Sequence, residues 1–220
     1  MEDLIKKIKG FPLFAGIKED DYETMMACIS FHCSKYQRGD YVTLEEEHIK
    51  NIGIIMSGSI DIIKEDLWGG TTILLRMRSG EMFGETFACA VNSASTVTFI
   101  ASADTKVLFM PFTRVMHSCS NVCVFHHRLI ENMVSLIAAK NRDLMQKIEV
   151  ISKKNLRDKI MTYLSMQAQT QGKRYFDVPM GRLELADYLC ADRSALTREL
   201  SNMKKDGLID YDRNTFHLKA

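Results

Sequence analysis

The sequence predicts an α+β protein in three parts: an N-terminal antiparallel β sandwich or barrel, a long helix, and a C-terminal winged helix-turn-helix. Three observations predict it. Between Tyr36 and Phe112, β-branched runs follow one another between glycine turns, with no helical pattern intervening. From Cys123 to Ile151, apolar residues recur in alternating steps of four and three. From Arg182 to Ile209, two short amphipathic helices flank a tight turn. The parts divide the 220 residues as 1–115, 116–152 and 153–220.

The stretch from Glu2 to Ile29 reads as helical, with Leu4, Ile5 and Ile8 on one stripe and Pro12 and Gly16 as punctuation. Strands are expected at Tyr41–Leu44, Ile52–Met56, Ile60–Lys64, Thr71–Arg76, Thr96–Ala101 and Lys106–Met110. Gly39-Asp40, Gly58-Ser59, Trp68-Gly69-Gly70, Ser79-Gly80 and Gly84 mark the turns. Glu45-Glu46-Glu47 reads as a solvated turn.

Pro111 is expected to open the helical region that runs to Ile151. With Val134 at heptad position a, Asn141 and Ile148 also fall at a, and Ile130, Ile137, Leu144 and Ile151 fall at d. Such a seam favours a coiled coil with a second copy, and a single Asn at a sets register in a parallel dimer. Val122, Leu129, Met133 and Leu136 form a second apolar strip, suited to packing on the barrel.

After Ser152-Lys153-Lys154 a further helix carries Leu156, Ile160, Tyr163 and Leu164, and Phe176–Val178 reads as a strand. In the helix-turn-helix, Leu183, Ala186 and Leu189 share a face of the first helix, with Leu185 beside it. Leu196, Leu200 and Met203 share a face of the second. Asp192 is placed to cap the second helix and Gly207 to end it. The outer face carries Arg193, Ser194, Thr197 and Arg198, with Lys204 and Lys205 at the exit. Arginine bonds guanine bidentately, and hydroxyls bond base edges or phosphates, so this face suits a DNA major groove. The hairpin expected from Gly207–Tyr211, Asn214 and Phe216–Leu218 makes the wing.

Charge agrees with this division. The net charge is only +1, yet residues from Lys153 onward hold 13 basic against 9 acidic side chains and the rest hold 16 against 19. The excess of cations lies with the helix-turn-helix, where phosphates need it. No apolar run is long enough to span a bilayer and MEDLIKKIKG is not a signal peptide, so no membrane association and a cytoplasmic home are expected. The six cysteines follow no disulfide framework. No Ser–His–acid grouping, zinc-hydrolase motif or phosphate loop is present, and no enzyme is expected.

The order of parts, together with Ile54-Ile55-Met56-Ser57-Gly58-Ser59-Ile60, Ser79-Gly80-Glu81-Met82-Phe83-Gly84-Glu85, Leu185-Ala186, Arg193, Ser194, Leu196, Arg198 and Gly207-Leu208-Ile209, resembles the CRP/FNR family of bacterial transcription regulators. The resemblance covers nearly the whole chain from Phe11. It implies an N-terminal antiparallel β-roll (a cyclic-nucleotide-binding-like jelly roll), a long dimerisation helix and a winged helix-turn-helix. It also implies an effector-controlled homodimer on double-stranded DNA at a near-palindromic promoter site, with half-sites about 34–36 Å apart. RNA polymerase is the further partner that activation would require. Arg198 matches the family arginine that contacts a base. Ser194 stands where many members have Glu, so a different half-site is expected.

For the effector, the resemblance implies a pocket at Gly84, Glu85, Ser95, Thr96, Leu144 and Met145. Glu85 matches the glutamate that accepts from a ribose hydroxyl. Ser95-Thr96 stands where cyclic-nucleotide binders carry Arg and then Ser or Thr, and no arginine occurs from Ser79 through Lys106. Bidentate charge-assisted contact to a phosphate is what that arginine supplies. Leu144-Met145 is apolar where the cAMP-binding members present polar residues to the purine. A pocket lined by Met82, Phe87, Leu144 and Met145 would suit an unidentified small apolar or aromatic effector, and neither cAMP nor cGMP. No cysteine precedes Cys28, so the N-terminal iron–sulfur pattern of some members is missing, and no clear axial pair for haem is present. Cys119 and Cys123, followed by His126 and His127, fall on one helical face and read as core or seam residues; no metal site is assigned. The competing function is an effector-binding regulatory module whose winged helix docks protein rather than DNA.

Overall fold

A computed structural model describes residues 2–66, 68–90, 94–116 and 124–219. The chain divides into two compact units, Met1–Ile137 and Ala138–Ala220. Among the described residues, no helix is long and apolar enough to cross a membrane.

The first unit opens with α1 (Glu2–Ile8), a 3-10 turn at Pro12–Phe14, and α2 (Asp21–Ile29). Pro12 starts the 3-10 turn and Gly16 has φ +77°, so the expected helical stretch is three short pieces. The strands are β1 (His32–Tyr36), β2 (Tyr41–Thr43), β3 (Asn51–Ser57), β4 (Ser59–Glu65), β5 (Thr71–Arg78) and β6 (Met82–Phe83). The short helix α3 (Glu85–Ala88) intervenes before β7 (Thr98–Ala101) and β8 (Thr105–Pro111). They form two four-stranded antiparallel sheets, ordered β1-β8-β3-β6 and β2-β7-β4-β5. This is the expected β-roll.

β3 explains how the two layers share a wall. Its residues from Ile52 to Met56 are buried. Ile52, Ile54 and Met56 join the core formed with α1, α2, Val115, Phe125, Leu129 and Met133. Ile55 points the other way, into the core between the sheets with Ile60, Met77, Phe83, Phe99, Val107 and Phe109. Buried on both faces, the strand is a continuous apolar run rather than an alternation. Gly53 leaves room for the Phe83 ring, with which a Cβ there would collide.

Pro111 closes β8 instead of opening the helical region. The helices after it are α4 (Phe112–Met116) and α5 (Val124–Ile151). The Asn132 amide of α5 donates to the carbonyls of Leu13 and Ala15, both at 2.8 Å, and so ties the helix to the N-terminal segment. Leu129 and Met133 are buried on this side, as the second apolar strip anticipates; Val122 lies outside the described residues.

The second unit contains the last part of α5, then α6 (Leu156–Gln171), β9 (Tyr175–Asp177), α7 (Arg182–Tyr188), α8 (Arg193–Lys205), β10 (Ile209–Asp212) and β11 (Thr215–Leu218). Asn155 caps α6 by accepting from Asp158 N at 2.8 Å, and Gly172, at φ +62°, ends it. The strands form an antiparallel sheet ordered β10-β11-β9. One core unites Ile160, Tyr163, Leu164, Leu185, Leu189, Leu196, Leu200, Met203, Ile209 and Phe216. Leu183 does not join it. It is 59% exposed, and Leu185, Ala186 and Leu189 fill the face it was expected to share.

Candidate nucleic-acid interface and effector region

The interface is built on the turn between α7 and α8. Cys190 N donates to Asp187 O at 3.1 Å and Ala191 N to Ala186 O at 3.0 Å, which closes the end of α7. The chain reverses through Cys190 at φ +51°, a left-handed conformation that an L side chain occupies at a cost of roughly 1–2 kcal/mol. Glycine has no such cost there but loses roughly 0.5–1 kcal/mol of chain entropy on folding. Cys190→Gly is therefore expected to stabilise the domain by about 0.5–1 kcal/mol, read as a raised thermal midpoint. A lowered midpoint would show that the thiol contributes packing the turn depends on.

Asp192 then starts α8 as expected. Its Oδ1 accepts from Ser194 N at 2.8 Å, from Ala195 N at 3.1 Å and from the Ser194 hydroxyl at 2.5 Å. The Ser194 hydroxyl foremost, with these amides, holds the Asp192 carboxyl below its ordinary range. Leu196, Leu200 and Met203 anchor the inner face of α8 in the core.

The outer face is a shallow groove lined by Asp192, Arg193, Ser194, Thr197, Arg198, Ser201, Asn202 and Lys205. The Thr197 hydroxyl donates to Arg193 O at 2.9 Å. Among the described residues, Arg193, Arg198 and Lys205 make no ion pair within the chain. Arg157 and Arg182, by contrast, are committed within the unit. Arg157 Nε contacts Glu199 Oε1 at 2.6 Å and its Nη1 contacts Asp206 Oδ2 at 2.7 Å, so α6 grips α8 from behind. The Arg182 guanidinium lies 5.0 Å from the Tyr211 ring and 5.1 Å from the Phe216 ring, and donates to Arg213 O at 2.7 Å.

Lys204 belongs with these committed cations. Expected at the helix exit beside the phosphates, it instead faces the wing, with Nζ 2.6 Å from Asp210 Oδ1 and 5.2 Å from the Tyr211 ring centre. Lys204, helped by the amide of Tyr211, pulls the Asp210 carboxyl down to about 2. Lys205, expected at the exit, lines the groove, and Ser201 and Asn202 occupy the groove positions that the sequence leaves unremarked. Steps of four from Arg193 through Thr197 to Ser201, and from Arg198 to Asn202, place them there.

In the first unit, Gly84 starts α3 at φ +82°, and Glu85 and Ser95 are buried. The Ser95 hydroxyl donates to Val97 O at 2.6 Å, so it is turned into the chain. A strap of three glutamates zips onto this segment: Glu46 N donates to Ser95 O and Ser95 N to Glu47 O, each at 2.8 Å, and Glu45 N donates to the Thr98 hydroxyl at 3.0 Å. Lys64 pairs with Glu45 and donates to Thr96 O at 3.0 Å. Met82 and Phe87, expected on one pocket wall, pack into different cores. Leu144 and Met145 belong to the second unit and are 57% and 64% exposed.

Cys119 and Cys123 lie outside the described residues. His127 is exposed and 3.1 Å from Glu131 Oε1. His126 is buried, with Nε2 3.2 Å from Arg114 O and 3.9 Å from Cys28 Sγ.

Comparison with known proteins matches residues 33–121 to the cyclic nucleotide-binding domain and residues 158–219 to the Crp-like helix-turn-helix domain. The chain is 27% identical over 128 residues to the transcriptional activator protein FnrL of Cereibacter sphaeroides, across 52% of this chain and 49% of FnrL. It thus spans about half the length of that curated relative. Among solved structures, it is similar to CprK complexed with OCPA, with 14% identity, a TM-score of 0.66, and 92% of this chain and 90% of that one covered. It is also similar to CLP, the c-di-GMP responsive global regulator of Xanthomonas campestris. There the identity is 18% and the TM-score 0.59, over 92% of this chain and 100% of that one.

Proposed function

The chain belongs to the CRP/FNR family of transcription regulators, and on that premise we propose that it is a sequence-specific regulator that binds double-stranded DNA as an effector-controlled homodimer. The observation that carries this is the outer face of α8. Arg193, Arg198 and Lys205 have no ion-pair partner there among the described residues, whereas Arg157, Arg182 and Lys204 are engaged by groups of their own unit. Phosphates and guanine edges are the ligands that such a face fits. Arg198 is the base-reading arginine, and Arg193, Thr197, Lys205 and Lys204 take supporting positions, Lys204 by way of the wing.

Assembly with a second copy is supported by α5. Leu129 and Met133 are covered by their own chain, whereas Val134, Leu144 and Ile148 are 57%, 57% and 60% exposed. Asn141 is exposed among them, and Ile130 and Ile137 are half-buried. An apolar heptad strip left open in the single chain is what a partner helix covers. A symmetric dimer reads a near-palindromic site. The protein acts in the cytoplasm, and where it activates, it does so through RNA polymerase.

The effector acts by population shift, favouring one arrangement of the recognition helices. It is a small molecule other than cAMP or cGMP. The Ser95 hydroxyl is already spent, Lys64 is paired with Glu45, and the neighbouring strap is acidic. The segment from Ser79 through Lys106 offers an anionic phosphate no arginine. Calorimetry is expected to show no saturable heat with either nucleotide; micromolar affinity would overturn this part of the reading.

Selection from a genomic DNA library with purified protein tests the main reading. Enrichment of a near-palindromic site is expected, with affinity falling steeply as salt rises. No enrichment, with and without a small-molecule extract, would favour the protein-docking module.

A further inference from the structure

Two hydroxyls on the outer face of α8, those of Ser194 and Thr197, have no proton to offer a base. The Ser194 hydroxyl donates to Asp192 Oδ1 at 2.5 Å and the Thr197 hydroxyl to Arg193 O at 2.9 Å. A hydroxyl carries one proton and two lone pairs, so each faces outward as an acceptor only. The bond from Ser194 is charge-assisted, the stronger class, and exchanging it for a neutral carbonyl of a base is unfavourable. Asp192 is itself fixed by the amides of Ser194 and Ala195. In the major groove, adenine N6 and cytosine N4 donate, whereas guanine O6 and thymine O4 accept.

We propose that Asp192, by holding the Ser194 proton, sets the base preference of the recognition helix: the half-site carries an exocyclic amino group, on adenine or cytosine, where Ser194 faces it, and guanine and thymine are rejected there. This rests on the DNA-binding reading above. Asp192 is a positioning residue and Ser194 the group that touches the base. Arg198, four residues on along the same face, supplies donors for a guanine. The helix thus offers an acceptor and a donor about one turn apart, and the half-site mirrors that order.

The test uses the full chain and compares selected sites for the wild type, Ser194→Ala and Asp192→Asn. Asparagine also caps helices, so α8 keeps its start. In the wild type one position per half-site is expected to prefer adenine or cytosine by about 3- to 10-fold, the size of one hydrogen bond. Ser194→Ala is expected to erase the preference at that position alone. Asp192→Asn is expected to relax it toward guanine and thymine, because the serine proton is no longer held by a charge, while the guanine read by Arg198 is unchanged. On the selected site, replacing the amino base by its analogue without the amino group lowers wild-type affinity by a similar factor and leaves Ser194→Ala unaffected. An enriched site with a guanine or thymine at the Ser194-dependent position, or an Asp192→Asn preference identical to wild type, overturns this inference alone. No enriched site at all removes the DNA-binding reading, and this inference with it.

Discussion

Arg198→Ala is expected to weaken binding to the selected DNA site by about 1–3 kcal/mol, the value of a bidentate arginine–guanine contact. Discrimination at that one base pair should fall with it, while the thermal midpoint stays put. The reason is how little this side chain does within its own fold: it is exposed and, among the described residues, makes no ion pair, acting only as a weak favourable charge toward Asp192. Arg157 is the contrast. It holds Glu199 and Asp206 from behind α8, so Arg157→Ala is expected to lower the midpoint and blur DNA binding at every base pair equally. Band-shift titrations against the selected site and its single-base variants separate the two patterns. Unchanged affinity for Arg198→Ala would show that α8 does not read bases through this residue.

Ile148→Asp is expected to convert the dimer into 25.1 kDa monomers. Ile148 is 60% exposed in the single chain, so a carboxylate there costs the monomer little. In a symmetric seam the two copies would face each other as like charges in an apolar strip. The loss of DNA affinity should be larger than for Arg198→Ala. Two linked half-sites exceed one by roughly 10²- to 10⁴-fold, and the monomer forfeits that factor. Sedimentation velocity reads the mass, and the same titrations read the affinity. Asn141→Ile provides a subtler check, expected to change register or oligomer state without dissolving the seam. A stable dimer of Ile148→Asp would place the interface elsewhere.

Much of the fold is legible in the chain because its strands and helices carry their own patterns. All six expected strands are present, most with a boundary moved by one or two residues. The strand that escapes notice, β1, has the sequence His32-Cys-Ser-Lys-Tyr36 and lies at a sheet edge beside β8 alone. An edge strand needs no apolar alternation, and this one has none. β6 and α3 are too short for any periodicity to register. Leu183 shows the opposite limit: helical spacing allots it to a face, but only packing decides where that face ends. At the interface, the Asp192 cap follows from local sequence. The fate of Arg157 and Lys204 does not, because their partners are 42 and 6 residues away and fold decides who meets them. The proton of Ser194 is equally hidden, since the same letters let it go to Asp192 or outward to a base.

If a second copy covers the open strip on α5, next to one that its own chain covers, gene control is tied to copy number. If only paired chains grip the operator, then in dilute solution the occupied fraction rises with the square of chain concentration rather than in proportion to it. A modest rise in synthesis or fall in degradation then moves a promoter from idle to engaged before any small molecule intervenes. The same coupling makes thermal stability rise with concentration, as mass action requires of any fold completed by its own copy.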